Sequence, residues 1–324
     1  MNQTAETPDG SKIVRNILIV SGVLLLPGLQ SAFFGWLYGL VPLLVFYYLC
    51  RYGRHAGGRY LLHGTIVALL AGLILQVAGQ VMLALVLFPT GFILARSVDQ
   101  DEPPPVAGLK GFVVLTVSWL VFAGIFAITE GNHLYALLLQ SINQGIDESL
   151  KYYQQNEQIP AESYYLLSQT FLEIKERLIQ LMPAILASFA MIMVWLAMVL
   201  GNRLLHKNTG QRPWPEYQYW QLPDRVVWLV VAAAILALMP VPTARSIGFN
   251  LLLIASLLYC FQGFSIFLFF LNKWKVPLYI RSLLYVIIVF QSLGTIFLSV
   301  LGLADVWFDL RRLSSQDPDQ KDIL

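Results

Sequence analysis

Few side chains in this 324-residue chain could do chemistry. Nucleophilic catalysis needs a Ser, Cys or Thr with a base at the same place. The four histidines, His55, His63, His133 and His206, fall near the ends of apolar segments, with no acid and nucleophile at a motif spacing. There is no Gly-rich phosphate loop closing on Lys and Ser or Thr, which excludes ATP hydrolysis by that route. Asp305 and Asp309 share a helical face as paired carboxylates would, but Arg312 turns the set into an interfacial charge cluster. Asp99, Asp101 and Glu102 run into Pro103, Pro104 and Pro105 and read as a stiff solvated connector rather than an acidic metal site. Cys50 and Cys260 both lie in apolar sequence and act as small hydrophobes, so neither a disulfide nor a metal or other cofactor is expected. An enzyme is the less favoured reading.

The polar chemistry left inside apolar sequence is neutral. Gln76, Gln80, Asn250, Gln262 and Gln291, with Trp119 and Trp195, can hydrogen-bond and stack without charge, as a neutral or amphiphilic small-molecule ligand would require. Each of them can equally serve interhelical hydrogen bonding. His63 apart, the apolar segments hold almost no ionisable residue, which disfavours ion-coupled transport, because such transporters bury carboxylates or charged relays at depth.

The elements that must position these groups are membrane helices. Hydrophobic residues make up 57% of the chain against 12% charged, and net charge is only +2, so a broad basic field for nucleic acid is absent. The lipid bilayer is the expected partner. Residues 1–12 read as a disordered cytoplasmic tail, 13–128 as a first membrane half with five segments, and 129–180 as an external amphipathic helical hairpin. Residues 181–312 form a second half with three or four segments, and 313–324 a polar tail. Ser31, Gly35 and Gly39 form a small-residue ridge suited to helix packing. In the hairpin, Leu134, Leu138, Ile142, Ile146 and Leu150 repeat on one face. Tyr164, Leu167, Phe171, Ile174 and Leu178 repeat on a second, with Glu173 and Arg177 spaced to pair. Pro183 predicts a kink one turn into the following span. Trp214, Tyr217, Tyr219 and Trp220 read as an interfacial aromatic belt beside Asn202, Arg203, His206 and Lys207.

Basic loops at Arg51–Arg59 and Arg203–Arg225 predict a cytoplasmic N-terminus and an external hairpin. The segment from Val226 to Met239 is too short to assign as a full or a re-entrant span, leaving eight or nine segments and the side of the C-terminus open.

Several landmarks resemble the YybS-like family of bacterial integral membrane proteins, grouped distantly with the S-components of energy-coupling factor transporters. They are Pro183 with the Ala-Ile-Leu that follows, Trp220-Gln-Leu-Pro223, Phe261-Gln262-Gly263-Phe264-Ser265, and Gly302-Leu-Ala-Asp305-Val-Trp307-Phe-Asp309-Leu-Arg311. The resemblance implies an all-α, S-component-like helical bundle in the bacterial inner membrane, binding a small molecule and acting with a membrane protein partner in its uptake or sensing. The first segment lacks the Ala-xxx-Ala ridge of true S-components. The other readings are a scaffold that uses the external hairpin and, less favoured, an intramembrane lipid-modifying enzyme.

Overall fold

A computed structural model describes residues 10–155 and 160–311, which are helical with no strand among them. Hydrocarbon cannot hydrogen-bond a backbone, so each apolar segment satisfies its own N–H and C=O groups as helix. In order these are α1 Gly10–Leu29, α2 Ser31–Phe34, a 3-10 turn Gly35–Leu40, α3 Val41–Ile74, α4 Ala78–Leu85 and α5 Phe88–Asp99. Then follow α6 Pro104–Glu130, α7 Leu134–Gln154, α8 Ala161–Thr209, α9 Val227–Leu238, α10 Pro242–Lys273, α11 Leu278–Phe290 and α12 Ser292–Phe308. Gly10–Lys12, expected in a disordered tail, belong to α1, whose polar first turn extends the helix past its apolar stretch. The rest of that tail, Arg312 and residues 313–324 lie outside the described residues.

Among the described residues six helices are long and apolar enough to cross a membrane, or seven if the bent pair α11 and α12 makes one span. Two features separate this from the expected eight or nine segments. First, Ser31–Ile74 counts as one helix although it holds two apolar segments. Gly53 interrupts α3 at φ 76, ψ 165, a conformation open to glycine, and the chain folds back there: a Cβ on Gly57 would lie 2.3 Å from the Tyr48 carbonyl oxygen. Second, α9 has 12 residues. Its rise of about 18 Å falls short of a hydrocarbon core of about 30 Å.

Three helices end in Schellman turns made without glycine. After α3, α5 and α10 the left-handed residue is Gln76, Asp101 or Lys275, at φ 60, 51 and 51. Each turn is closed by paired backbone bonds of the Schellman type, for example Val77 N–H to Gly72 O at 2.7 Å and Gln76 N–H to Leu73 O at 3.3 Å.

The chain divides into two compact units. One comprises residues up to Trp119 with Ala190–Tyr217, the other Leu120–Phe189 with residues from Gln218 onward. In the first, α3 packs on α1 and α5. Asn202 clamps the loop after α8, its Nδ2 donating to the Trp214 and Pro215 carbonyls at 3.0 Å and its Oδ1 accepting from Trp214 N–H at 3.1 Å. The Trp214 ring stacks on Phe46 at 5.4 Å and is 4% exposed, so this tryptophan, expected at the membrane interface, is a plug in the protein interior. Expected closeness at Gly35 and Gly39 is not found: a Cβ on either meets nothing within 4 Å. The 3-10 turn there breaks the four-residue periodicity that would have aligned Ser31, Gly35 and Gly39.

In the second unit, α10 packs on α9 and α12. The α10–α12 crossing is reciprocal: a Cβ on Gly263 would lie 1.9 Å from Leu298 O, and one on Gly302 would lie 2.0 Å from Tyr259 O. Two backbones touch where only hydrogen fits. The hairpin is present as α7 and the first arm of α8, joined by Tyr153 against Phe171 at 6.0 Å and by Lys175 to Asp147 at 3.9 Å. That cross-arm pair stands where the sequence suggested Glu173 with Arg177 within one helix.

Candidate functional site

Three stretches far apart in sequence converge in the second unit. Asp305, one turn from the end of α12, and Arg311, just beyond it, form an ion pair at 2.9 Å with both side chains wholly removed from solvent. The left-handed Asp309, at φ 36, ends α12 and turns the chain back. Leu310 N–H then donates to Asp305 Oδ1 at 2.9 Å. Gln262 of α10 donates from Nε2 to Asp305 Oδ2 at 3.0 Å and accepts from Leu222 N–H at 3.2 Å. Arg311 Nη1 reaches the Gln218 and Trp220 carbonyls at 2.9 Å and the Ser265 hydroxyl at 2.8 Å.

Desolvating two such ions costs several kcal/mol each, and only dense hydrogen bonding offsets it. That bonding is supplied by the loop before α9, by α10 and by α12, so the ion pair holds these three together. Both Asp305 oxygens accept from protein donors, Oδ1 from Leu310 and Oδ2 from Gln262 and Arg311. Asp305, expected in an interfacial cluster with Asp309 and Arg312, is buried against Arg311, while Arg312 lies outside the described residues. Trp307 and Pro223, from the same stretches, face outward.

A second polar group adjoins it. Arg281 donates to Leu271 O, Val276 O and Asn272 Oδ1, and Asn272 donates to Gln218 Oε1 at 2.6 Å. Arg281 lies inside apolar sequence that was expected to hold almost no charge, and its three partners account for its tolerance there. Gln218, Asn272 and Arg281 carry no local signal that would have joined them to Asp305; only the fold does.

Asn250 and Pro183 make a separate arrangement in this unit. Pro183 lies inside α8 and lacks the N–H that would serve the helix ladder one turn back. Asn250 bonds the backbone on either side of it: its Oδ1 accepts from Ala184 N–H at 3.0 Å and its Nδ2 donates to Gln180 O at 2.9 Å. One amide thus ties α10 to a backbone donor and a backbone acceptor four residues apart.

The remaining residues expected to bind a ligand are placed as follows. Gln76 supplies the left-handed turn after α3, and Gln80 lies nearby on α4, both exposed. Trp195 meets Tyr217 edge-on at 5.6 Å, and Trp119 is half-buried. Gln291 sits in extended backbone where α11 and α12 bend by 100°. Asn250 and Gln262 serve two different structural joints. His63, exposed, has its Nδ1 2.7 Å from the Arg59 carbonyl of its own helix. Among the described residues no group of His, Cys, Asp and Glu could hold a metal ion.

Outside the spans, one carboxyl departs from its ordinary range: Glu102, between α5 and α6, is held low chiefly by its hydrogen bond from Lys110. The Glu102 carbonyl also accepts from Trp214 Nε1 at 2.9 Å.

Long apolar helices, polar joints bonded within the protein and backbone-close glycine crossings define an integral membrane protein of the all-α, multi-pass class. Residues 16–306 match the family described as Predicted membrane protein (DUF2232), and the chain belongs to it. No curated protein and no solved structure matches the chain.

Proposed function

We propose that this chain is a membrane scaffold of the bacterial cytoplasmic membrane, whose α7–α8 hairpin, on the external side, binds the apolar face of a partner membrane protein. One observation carries this reading: α7 has 21 residues and none of them is buried. Its stripe of Leu134, Leu138, Ile142, Ile146 and Leu150 is only half-covered, and on the first arm of α8 Leu166, Leu172 and Ile174 are 60%, 50% and 52% exposed. Two amphipathic helices bury one another incompletely, and a third apolar surface completes the burial. The test is site-specific photo-crosslinking in native membranes with the probe at Leu166 or Leu172, repeated after Ile174→Glu. A discrete crosslinked partner that disappears with Ile174→Glu, while the protein stays in the membrane with an unchanged unfolding midpoint, supports the scaffold; crosslinks to lipid alone sink it.

A second reading keeps the YybS-like, S-component-like resemblance, with a small neutral or amphiphilic molecule as ligand and uptake or sensing as the role. It is favoured by Gln291, whose exposed amide sits at a break between two apolar helices, as binding sites in transporters often do. Counting the two arms around Gly53 separately gives eight crossings, with both termini cytoplasmic. Ligand-dependent thermal stabilisation that Gln291→Ala abolishes would support this reading over the scaffold.

A further inference from the structure

The first unit gathers four stretches of chain onto one polar end. Asn16 of α1 donates to the Tyr52 hydroxyl at 3.2 Å, and its carbonyl accepts from Tyr48 at 3.3 Å. Asn208, near the end of α8, donates to the Tyr47 hydroxyl at 3.1 Å, and Arg54 pairs with Asp99 at the end of α5 at 2.7 Å. Arg15 and Lys207, next in sequence to Asn16 and Asn208, lie on the same end of the unit as Arg51.

The cations at this end outnumber their partners. Asp99, Glu102 and Glu216 are taken by Arg54, Lys110 and Arg212, which leaves Asp101 as the remaining described carboxylate of the unit. Lys12, Arg15, Arg51 and Lys207 have no carboxylate within ion-pair distance among the described residues. Arg51 is nevertheless fixed: it donates to the Tyr47 hydroxyl, and its guanidinium lies 5.5 Å and 5.0 Å from the Tyr47 and Tyr52 ring centres. Asn16, next to Arg15, bonds the hydroxyl of the same Tyr52 whose ring lies under Arg51, so the two arginines belong to one cluster, and both act electrostatically on Tyr48. An arginine ordered by aromatic rings, with a second beside it and no anion on either, is prepared for an oxyanion that two positive charges can share.

Alongside Arg15 an open, mostly apolar strip runs down α1, carried by Gly10, Ser11, Val14, Leu18 and Ile19. Val14, Leu18 and Ile19 are 57%, 60% and 46% exposed on a helix apolar enough to cross the membrane. A soluble anion has no use for this strip, whereas an acyl chain does. We propose that Arg15 and Arg51 hold the phosphate of an anionic glycerophospholipid, with Lys12 and Lys207 around the headgroup and an acyl chain along Val14, Leu18 and Ile19. This site is independent of the hairpin and of any partner bound there.

The test uses the full chain in neutral detergent, titrated with phosphatidylglycerol, phosphatidylcholine or inorganic phosphate, and reads bound lipid by native mass spectrometry and the unfolding midpoint. Phosphatidylglycerol should bind and stabilise in preference to phosphatidylcholine, and Arg15→Ala should weaken it about fivefold, roughly the contribution of one basic residue near an anionic headgroup. Arg51→Ala should do the same; because it also removes ring contacts, the exposed Arg15→Ala and Lys207→Ala variants are the deciding ones should Arg51→Ala fail to fold. Arg54→Ala, which removes a cation already paired with Asp99, should change binding less than Arg15→Ala. Equal response to the two lipids, an Arg15→Ala variant with undiminished preference, or equal stabilisation by inorganic phosphate would each overturn the assignment.

Discussion

At the scale of single residues, the buried ion pair has an asymmetric energetic signature. Arg311→Ala strands a carboxylate that has no solvent, and Asp305→Ala strands a guanidinium; each should cost about 3–5 kcal/mol in denaturant unfolding, because the surviving charge stays buried. Replacing both by apolar residues of like volume should cost clearly less than either single change, since no orphan charge remains. Glu102 predicts a different, milder effect. Its folded carboxyl is held below the ordinary range by Lys110, so the stabilisation is present above that range and is lost as pH falls through the lowered value. The midpoint gap between wild type and Glu102→Gln should therefore narrow on acidification, measured by thermal unfolding across pH.

At the scale of elements, Pro183 and Asn250 act as one device. Asn250→Ala leaves Ala184 N–H and Gln180 O without their partner and should cost about 1–3 kcal/mol for each group left buried and unsatisfied. With Pro183→Ala the ladder can close by itself, so the penalty of Asn250→Ala should shrink towards zero in the double variant, and a double-mutant cycle measures the difference. The glycine crossing predicts a sharper contrast. Gly302→Leu drives a side chain into the Tyr259 carbonyl and should abolish folded protein in detergent, whereas Gly35→Ala meets open space and should be tolerated. The sequence marked Gly302 through the family resemblance but proposed Gly35 and Gly39 as the packing ridge. Small residues four apart mark a close contact only if the backbone is α-helical and another helix is there, and neither condition is local.

At the scale of the whole molecule, the number of crossings turns on Gly53. If the arms on either side of it cross separately, a reporter fused after Leu324 should be active in the cytoplasm, as for eight crossings; external activity would require an odd number. The hairpin adds its own expectation at this scale: deleting residues 134–178 should abolish the crosslinked partner proposed for it while the remaining spans stay membrane-inserted, read by alkaline extraction.

The sequence by itself determined that this is a membrane protein, where its long apolar helices run and that a two-helix arm interrupts them. It could do so because hydrocarbon demands long apolar stretches with internally bonded backbone, and an amphipathic face repeats with the helical turn, both written in neighbouring residues. Only the tertiary structure decided that Asn250 bonds the backbone around Pro183, that Arg311 pairs with Asp305 beside Gln262, that Trp214 is buried on Phe46, and that Gln76, Asp101 and Lys275 turn helices without glycine. A buried polar group is defined by the partner it finds, and that partner lies tens of residues away in the chain. Composition can announce an amide or a charge in apolar sequence, but the choice between a ligand and a neighbouring helix is made by distance and geometry.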